Sequence, residues 1–187
     1  MSQTENFSLN DLMKNRRTIH HYEPTPVPEE LIDEALSLVI YAPNHHLTYP
    51  YRFYRIGETT KKAFLARAFD DFAQKDLDTA NKKIGRWSNI PGWLLVTQTI
   101  NENEKTFLED HATLSIAMYM MMLSFHKNGV GSKWSTASLF SGPAWYELCD
   151  IDPEKEIIRG VLWFGYPEKM PKPNEKPAYT DFVKVIP

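Results

Sequence analysis

Apolar and polar positions follow two rhythms along this chain, one near 3.6 residues and one near 2 or continuous. Leu9, Leu12 and Met13 recur at helical spacing behind Ser8. Asp11 stands where a capping box usually has Glu, so the spacing predicts a short helix ending near Arg16. Pro28 suits a first helical position, Glu29 and Glu30 suit the positive helix end, and Pro43 marks a stop. Leu31, Ala35, Leu38 and Ala42 then fall at i, i+4, i+7 and i+11 and predict one buried stripe. Tyr51 to Ile56 reads as a β-rich strand, and Gly92 to Gln98 as a strand of the buried kind. Thr59 to about Lys75 reads as a helix, whereas the polar run "LDTANKKIGRWSNIP" stays ambiguous. A long helix follows over roughly Asn103 to Lys127, closed by Asn128-Gly129. Val130 to Thr136 and Glu156 to Pro167 read as strands, with a short helix near Ala144 to Cys149. Alternating helices and strands predict an α+β or α/β sandwich of helices around one sheet, in a single domain over 1–187.

The long helix changes this picture. Leu114, Ala117, Met118, Met121, Met122 and Phe125 occupy more than one of its faces. A helix apolar nearly all round must be covered on every side. In so short a chain a second subunit is the natural cover, and a central helix within one monomer is the alternative. Its apolar core from Leu114 to Phe125 is too short to span a bilayer and is flanked by charged residues, so no membrane partner is expected.

Composition narrows the class. Of 187 residues, 42% are hydrophobic and 24% charged, which fits an ordinary globular domain. A formal net charge of -3 argues against a nucleic-acid binder. The single cysteine, Cys149, excludes an internal disulfide and fits a reducing cytoplasm. The opening stretch "MSQTENFSLNDLMKNRR" lacks an apolar signal-peptide segment, which again gives a cytoplasmic expectation.

Candidate chemistry concentrates in "NRRTIHHY". Arg16 and Arg17 can grip a phosphate in bidentate fashion and Thr18 can add a hydroxyl bond. The alternative is two solvated arginines at a helix C-terminus, where the macrodipole favours them. The loop "APNHHLTYP" adds His45 and His46 between a helix and a strand, a common place for binding residues. Adjacent histidines diverge on helices and strands, so the two His-His pairs make poor chelates and no metal site is expected. Neither a nucleophile elbow nor a phosphate-binding glycine loop occurs.

Taken together these stretches resemble the FMN-dependent nitroreductase family, particularly its short single-domain members. The resemblance rests on Arg16-Arg17-Thr18-Ile19-His20-His21-Tyr22-Glu23-Pro24, on Val27-Pro28-Glu29-Glu30, and on Ala42-Pro43-Asn44 through Tyr51-Arg52-Phe53. It continues with Gly129-Val130-Gly131, Trp134-Ser135-Thr136, and Gly160 through Pro167 with Pro171-Lys172-Pro173. It implies a three-layer α/β/α sandwich with a central, mostly antiparallel sheet, assembled as a domain-exchanged homodimer with FMN at the subunit interface. Arg16, Arg17 and Thr18 would hold the phosphate and ribityl end. Tyr41 and His45 would reach the flavin from the other subunit, and Trp134, Ser135 and Thr136 would approach the ring system.

His20 stands where many members carry Arg or Lys near the flavin N1 edge, and an unperturbed histidine there is only partly charged at neutral pH. The implied reaction passes hydride from NADH or NADPH through the flavin to an electron-poor small molecule such as a nitroaromatic or quinone. The cofactor carries that chemistry, so no catalytic side chain is named. A flavin carrier without turnover, a specialised dehalogenase of the same family and a metal-dependent hydrolase are the competing readings.

Overall fold

The computed structural model describes residues 8–187; the first seven residues of the opening stretch lie outside them. Ser8 caps helix α1 (Leu9–Asn15), its Oγ accepting from the Asp11 amide at 3.2 Å and donating to Asp11 Oδ2 at 2.6 Å. Helix α2 (Glu29–Ser37) tightens into a 3-10 turn (Val39–Tyr41) before Pro43. Pro28 is its N-cap rather than its first residue. The buried stripe is Ile32, Ala35, Val39 and Ala42, not the one expected from Leu31 and Leu38, which are half-buried. The observed spacing, i, i+3, i+7 and i+10, is as helical as the expected one and takes the apolar neighbours one residue on, Ile32 for Leu31 and Val39 for Leu38.

Four strands make one antiparallel sheet in the order β1-β2-β4-β3, with β1 Tyr51–Arg55, β2 Gly92–Thr99, β3 Gly131–Ser135 and β4 Glu156–Gly165. The central strands are buried on both faces, and their alternation divides two cores. Leu94, Val96, Leu162 and Phe164 pack with α2 and α5 (Glu104–Lys127). Trp93, Leu95, Val161 and Trp163 pack with α3 (Glu58–Ala73), α4 (Leu77–Ser88) and α6 (Pro143–Cys149). The expected three layers are therefore present.

The ambiguous polar run is helix α4. Asp76 caps it by accepting from the Asp78 amide at 3.0 Å, and only Ala80 and Trp87 are buried in its twelve residues. Leu77, Ala80, Ile84 and Trp87 keep helical spacing along it, but the charged and polar residues between them mask the pattern.

The sheet is bent where β2 meets β4. Val96 pairs with Gly160 and Thr97 with Ile158, so Arg159 is the extra residue of a bulge. Gly160 takes φ +117°, and a Cβ there would lie 2.3 Å from the Ser135 carbonyl oxygen. The bulge leaves the Arg159 carbonyl to accept from Trp134 Nε1 at 3.0 Å, and Arg159 Nε donates to Gln98 Oε1 at 2.9 Å.

Candidate functional site

The segment after α1 is laid along the sheet by backbone pairing. Ile19 donates its amide to the Ser132 carbonyl at 3.2 Å, Thr18 bridges Ser132 in parallel, and Glu23 donates to the Tyr166 carbonyl at 2.8 Å. Ile19 can come this close because residue 131 is glycine; a Cβ there would meet Ile19 Cγ1 at 2.4 Å. Tyr22, itself buried, donates its hydroxyl to the Ile19 carbonyl at 3.0 Å. Burial pushes this phenol well above its usual pKa, so it stays protonated. Two anchored apolar residues thus fix the direction of the polar residues between and before them.

Arg16, Arg17, Thr18 and His20 emerge together. A cleft of about 230 Å³ lies between Arg16, Arg17, His126, Gly131, Ser132 and Met170. A second, of about 290 Å³, shares both arginines and adds Thr18, His20, Lys172 and Lys176. Arg17 Nη1 donates to the Lys14 and Arg16 carbonyls at 2.6 and 2.9 Å, which closes the end of α1 and leaves the rest of its guanidinium free. Among the described residues no carboxylate pairs with Arg16, Arg17, Lys172 or Lys176. Four cations without anions around one cleft suit a polyanionic ligand.

The histidines beside it are shifted toward the neutral form. Partial burial, followed by the Arg16 and Arg17 guanidiniums, pulls His126 below its usual pKa. Partial burial, with Lys133, Arg86 and His21, does the same to His20. The shift leaves His20 less charged than an unperturbed histidine, with the cations Lys133 and Arg86 beside it. Lys133 sits with Nζ 4.9 Å from the Trp163 ring centroid. Sequence reasoning missed His126, Lys133, Arg86 and Lys176. None lies in a pattern of its own, and only the folding of α4, α5, β3 and the C-terminal segment beside the arginines reveals them.

The other expected residues lie elsewhere in the subunit. Trp134, Ser135 and Thr136 continue β3 beyond Ser132 and line neither cleft. Trp134 is half-buried against the α5 core, Ser135 is buried and Thr136 exposed. Tyr41 is 70% exposed, and His45 lies beside Glu109 at the opposite end of α5 from His126. Glu109 and His126 are separated by roughly 25 Å at 1.5 Å per helical residue. One subunit therefore does not bring Tyr41 and His45 to its own arginines.

Comparison with known proteins decides the relationship. The model of the nitroreductase family matches residues 13–166. This chain belongs to the nitroreductase family. YfhC of Bacillus subtilis (strain 168), provisionally named an NAD(P)H nitroreductase, is 28% identical over 190 residues, covering 97% of each chain. A nitroreductase-like family protein from Bacillus cereus superposes with TM-score 0.86 at 23% identity, over 99% of each chain. The FMN-dependent nitroreductase NfnB from Mycobacterium smegmatis, in complex with NADPH, gives TM-score 0.75 at 15% identity, over 95% of this chain and 97% of that one. The nitroreductase fold thus accounts for the layer order, the antiparallel sheet and the long central helix. No helix among the described residues is long and apolar enough to cross a membrane.

Proposed function

We propose that this nitroreductase is an FMN-dependent oxidoreductase. It takes hydride from NADH or NADPH and reduces an electron-poor acceptor such as a nitroaromatic or a quinone. The observation that carries the reading is the cationic cleft at Arg16 and Arg17, with Lys172 and Lys176 and no carboxylate among the described residues to neutralise it. A dianionic phosphate supplies the missing charge, and a guanidinium meets it with two parallel donors. The names of YfhC and of NfnB support the same cofactor and donor.

When bound, the flavin supplies the hydride chemistry at its N5. The chain's residues bind, orient and tune. Arg16 and Arg17 hold the phosphate and Thr18 adds a hydroxyl. Because the segment from Arg16 to His20 runs parallel to β3 at Thr18 and Ser132, the same direction leads from the phosphate end past His20 toward Trp134, Ser135 and Thr136. Lys133 and Arg86 place positive charge beside His20, where it favours negative charge on a neighbouring ring system.

The working unit in this proposal is a homodimer of single-domain chains, domain-exchanged and cytoplasmic, in which Tyr41 and His45 complete the other subunit's site. The roughly 25 Å along α5 between Glu109 and His126 supports this assignment. So do Ile116 and Tyr119, exposed on the outer side of α5, and the exposed apolar residues Tyr179, Phe182, Val185 and Ile186 near the C-terminus.

The test is spectroscopic. The purified protein, reconstituted with FMN, should be yellow, bleach under NADH or NADPH in stopped flow, and recover its colour on adding a nitroaromatic or quinone. Failure to take up FMN overturns the reading. Uptake without bleaching by either nucleotide would leave a flavin carrier.

A further inference from the structure

The end of α5 remote from the arginine cleft holds a cluster that flavin binding does not use up. Glu109 Oε2 lies 3.2 Å from His45 Nδ1 and 3.0 Å from His46 Nε2. The two imidazoles stack with centroids 4.2 Å apart and planes at 29°. All three ligand-capable atoms lie within 4.8 Å of one another. We propose that His45, His46 and Glu109 form a binding site for a divalent first-row transition ion of the zinc class.

The donor spacing fits such an ion. Zinc takes imidazole nitrogen and carboxylate oxygen at roughly 2.0–2.2 Å, so neighbouring donors on its tetrahedron stand about 3.3–3.5 Å apart. The two nitrogen-to-oxygen separations are within a few tenths of an ångström of that edge. The donor set selects the ion: two imidazoles and one carboxylate suit zinc, nickel or copper, whereas magnesium and calcium prefer oxygen throughout. Three protein donors leave coordination positions open for water or a small ligand.

Adjacent histidines diverge on a helix or a strand, but these sit in a turn. Leu47 (φ 51°) and Tyr49 (φ 45°) adopt left-handed backbone without being glycine. Asn44 Oδ1 accepts from the Thr48 amide at 3.3 Å. Thr48 Oγ1 donates to Asp110 Oδ1 at 2.5 Å, and Thr113 Oγ1 donates to the Pro43 carbonyl at 3.0 Å. The loop is therefore tied to α5 on both sides of the histidines, so its two donors and the helix's one are held in register.

Charge around the cluster also favours a cation. Asp110, the next residue to Glu109, is 98% buried and keeps Oδ2 without a protein partner. Lys105 pairs with the other Glu109 oxygen, its Nζ 3.8 Å away, and leaves Oε2 to the histidines. His45 turns Nδ1 to this cluster and retains Nε2 for other contacts, so the site does not require the flavin reading and does not conflict with it.

The experiment uses full-length, tag-free protein stripped with chelator and then loaded with FMN. Calorimetric titration with zinc, and cobalt as a d–d absorbing probe, should each give one ion per chain. His46→Ala and Glu109→Gln should each weaken zinc by at least about tenfold, the range that loss of even an outer-shell partner produces. Their flavin absorbance and far-ultraviolet dichroism should match the wild type. No one-to-one binding by the wild type overturns the proposal. So does zinc affinity unchanged in both variants, or flavin lost from them with zinc affinity intact.

Discussion

The two faces of the sheet are finished differently. The face under α3, α4 and α6 is an aromatic mosaic: Phe64 stacks on Trp145 at 4.0 Å, and Phe140 meets Trp163 edge-on at 5.0 Å. Trp87 and Trp93 complete it, and three helices of the same chain roof it over. The opposite face is aliphatic and methionine-rich, with Leu114, Met118, Met121 and Phe125 of α5 set against Leu94, Val96 and Leu162. Here the roof is a helix whose own outer side still carries Ile116 and Tyr119. One face is closed by the chain itself; the other presents apolar surface outward and bears candidate ligands at both ends. The difference separates what this chain needs to fold from what it needs to work.

That separation breaks most visibly at Trp145. It is fully buried, and truncating it to Ala should cost roughly 3–5 kcal/mol of folding free energy. Urea unfolding of the FMN-free protein should show the loss. A change below about 1 kcal/mol would mean that the aromatic face is not an independent source of stability.

On the outer side of α5, Ile116→Glu should act on association instead. An uncompensated charge in a protein interface costs on the order of 3 kcal/mol, so sedimentation should show monomers of 21.7 kDa in place of the proposed wild-type dimer. Circular dichroism should stay native. A variant that remains dimeric and flavin-loaded would move the subunit contact away from this helix.

Arg16→Ala tests the ligand end of the same face. Loss of a charge-assisted bond to phosphate should weaken FMN by roughly 1.5–3 kcal/mol, about 10- to 150-fold. Flavin fluorescence titration of the FMN-free protein reads it directly. Unchanged affinity would place the phosphate elsewhere.

The smallest effect expected is with pH, and it too belongs to the α5 side. His111 and His126, both on α5, have pKa values lowered first by burial and then by arginines, Arg159 for the former and Arg16 and Arg17 for the latter. In the unfolded chain they regain a value near 6.5. The unfolded state therefore binds protons first, and stability falls as pH drops below about 6.5 and on through the lowered folded values. Urea midpoints at pH 7.5 and 5.5 should differ in that sense. Replacing both histidines by Gln should flatten the difference, and a midpoint that rises on acidification would contradict the assignment.

Much of the fold was legible because long elements repeat a pattern. Helix α5 and strand β2 show their burial in every few residues, and the caps at Ser8, Asn103 and Asn128 lie where the side chains promised. Helix α4 was hidden because its spaced apolar residues are diluted by polar ones, and the stripe of α2 was misplaced because Leu31 and Ile32, and again Leu38 and Val39, offer two apolar phases one residue apart. At the site, Arg16 to His20 could be read as one cluster because they are sequence neighbours. Lys133, Arg86, Lys176 and His126 could not, since they come from four separate elements. The pairing of His45 and His46 with Glu109 was equally invisible. It depends on two left-handed residues in a loop and on a helix more than sixty positions away.

The division of the tryptophans between the two faces gives the molecule a built-in optical reporter. Trp87, Trp93, Trp145 and Trp163 all lie in the closed layer, in an aromatic cluster whose neighbouring ring centroids are 4.0–6.3 Å apart. Trp134 alone is packed on the other side. Near-ultraviolet dichroism, which vanishes when fixed tertiary packing is lost, will therefore be dominated by the closed layer, which meets the proposed flavin site at Trp163, beneath Lys133, and at Arg86 of α4. A chain without flavin will still give most of its aromatic signal, and that spectrum alone will pass an idle protein as a working one.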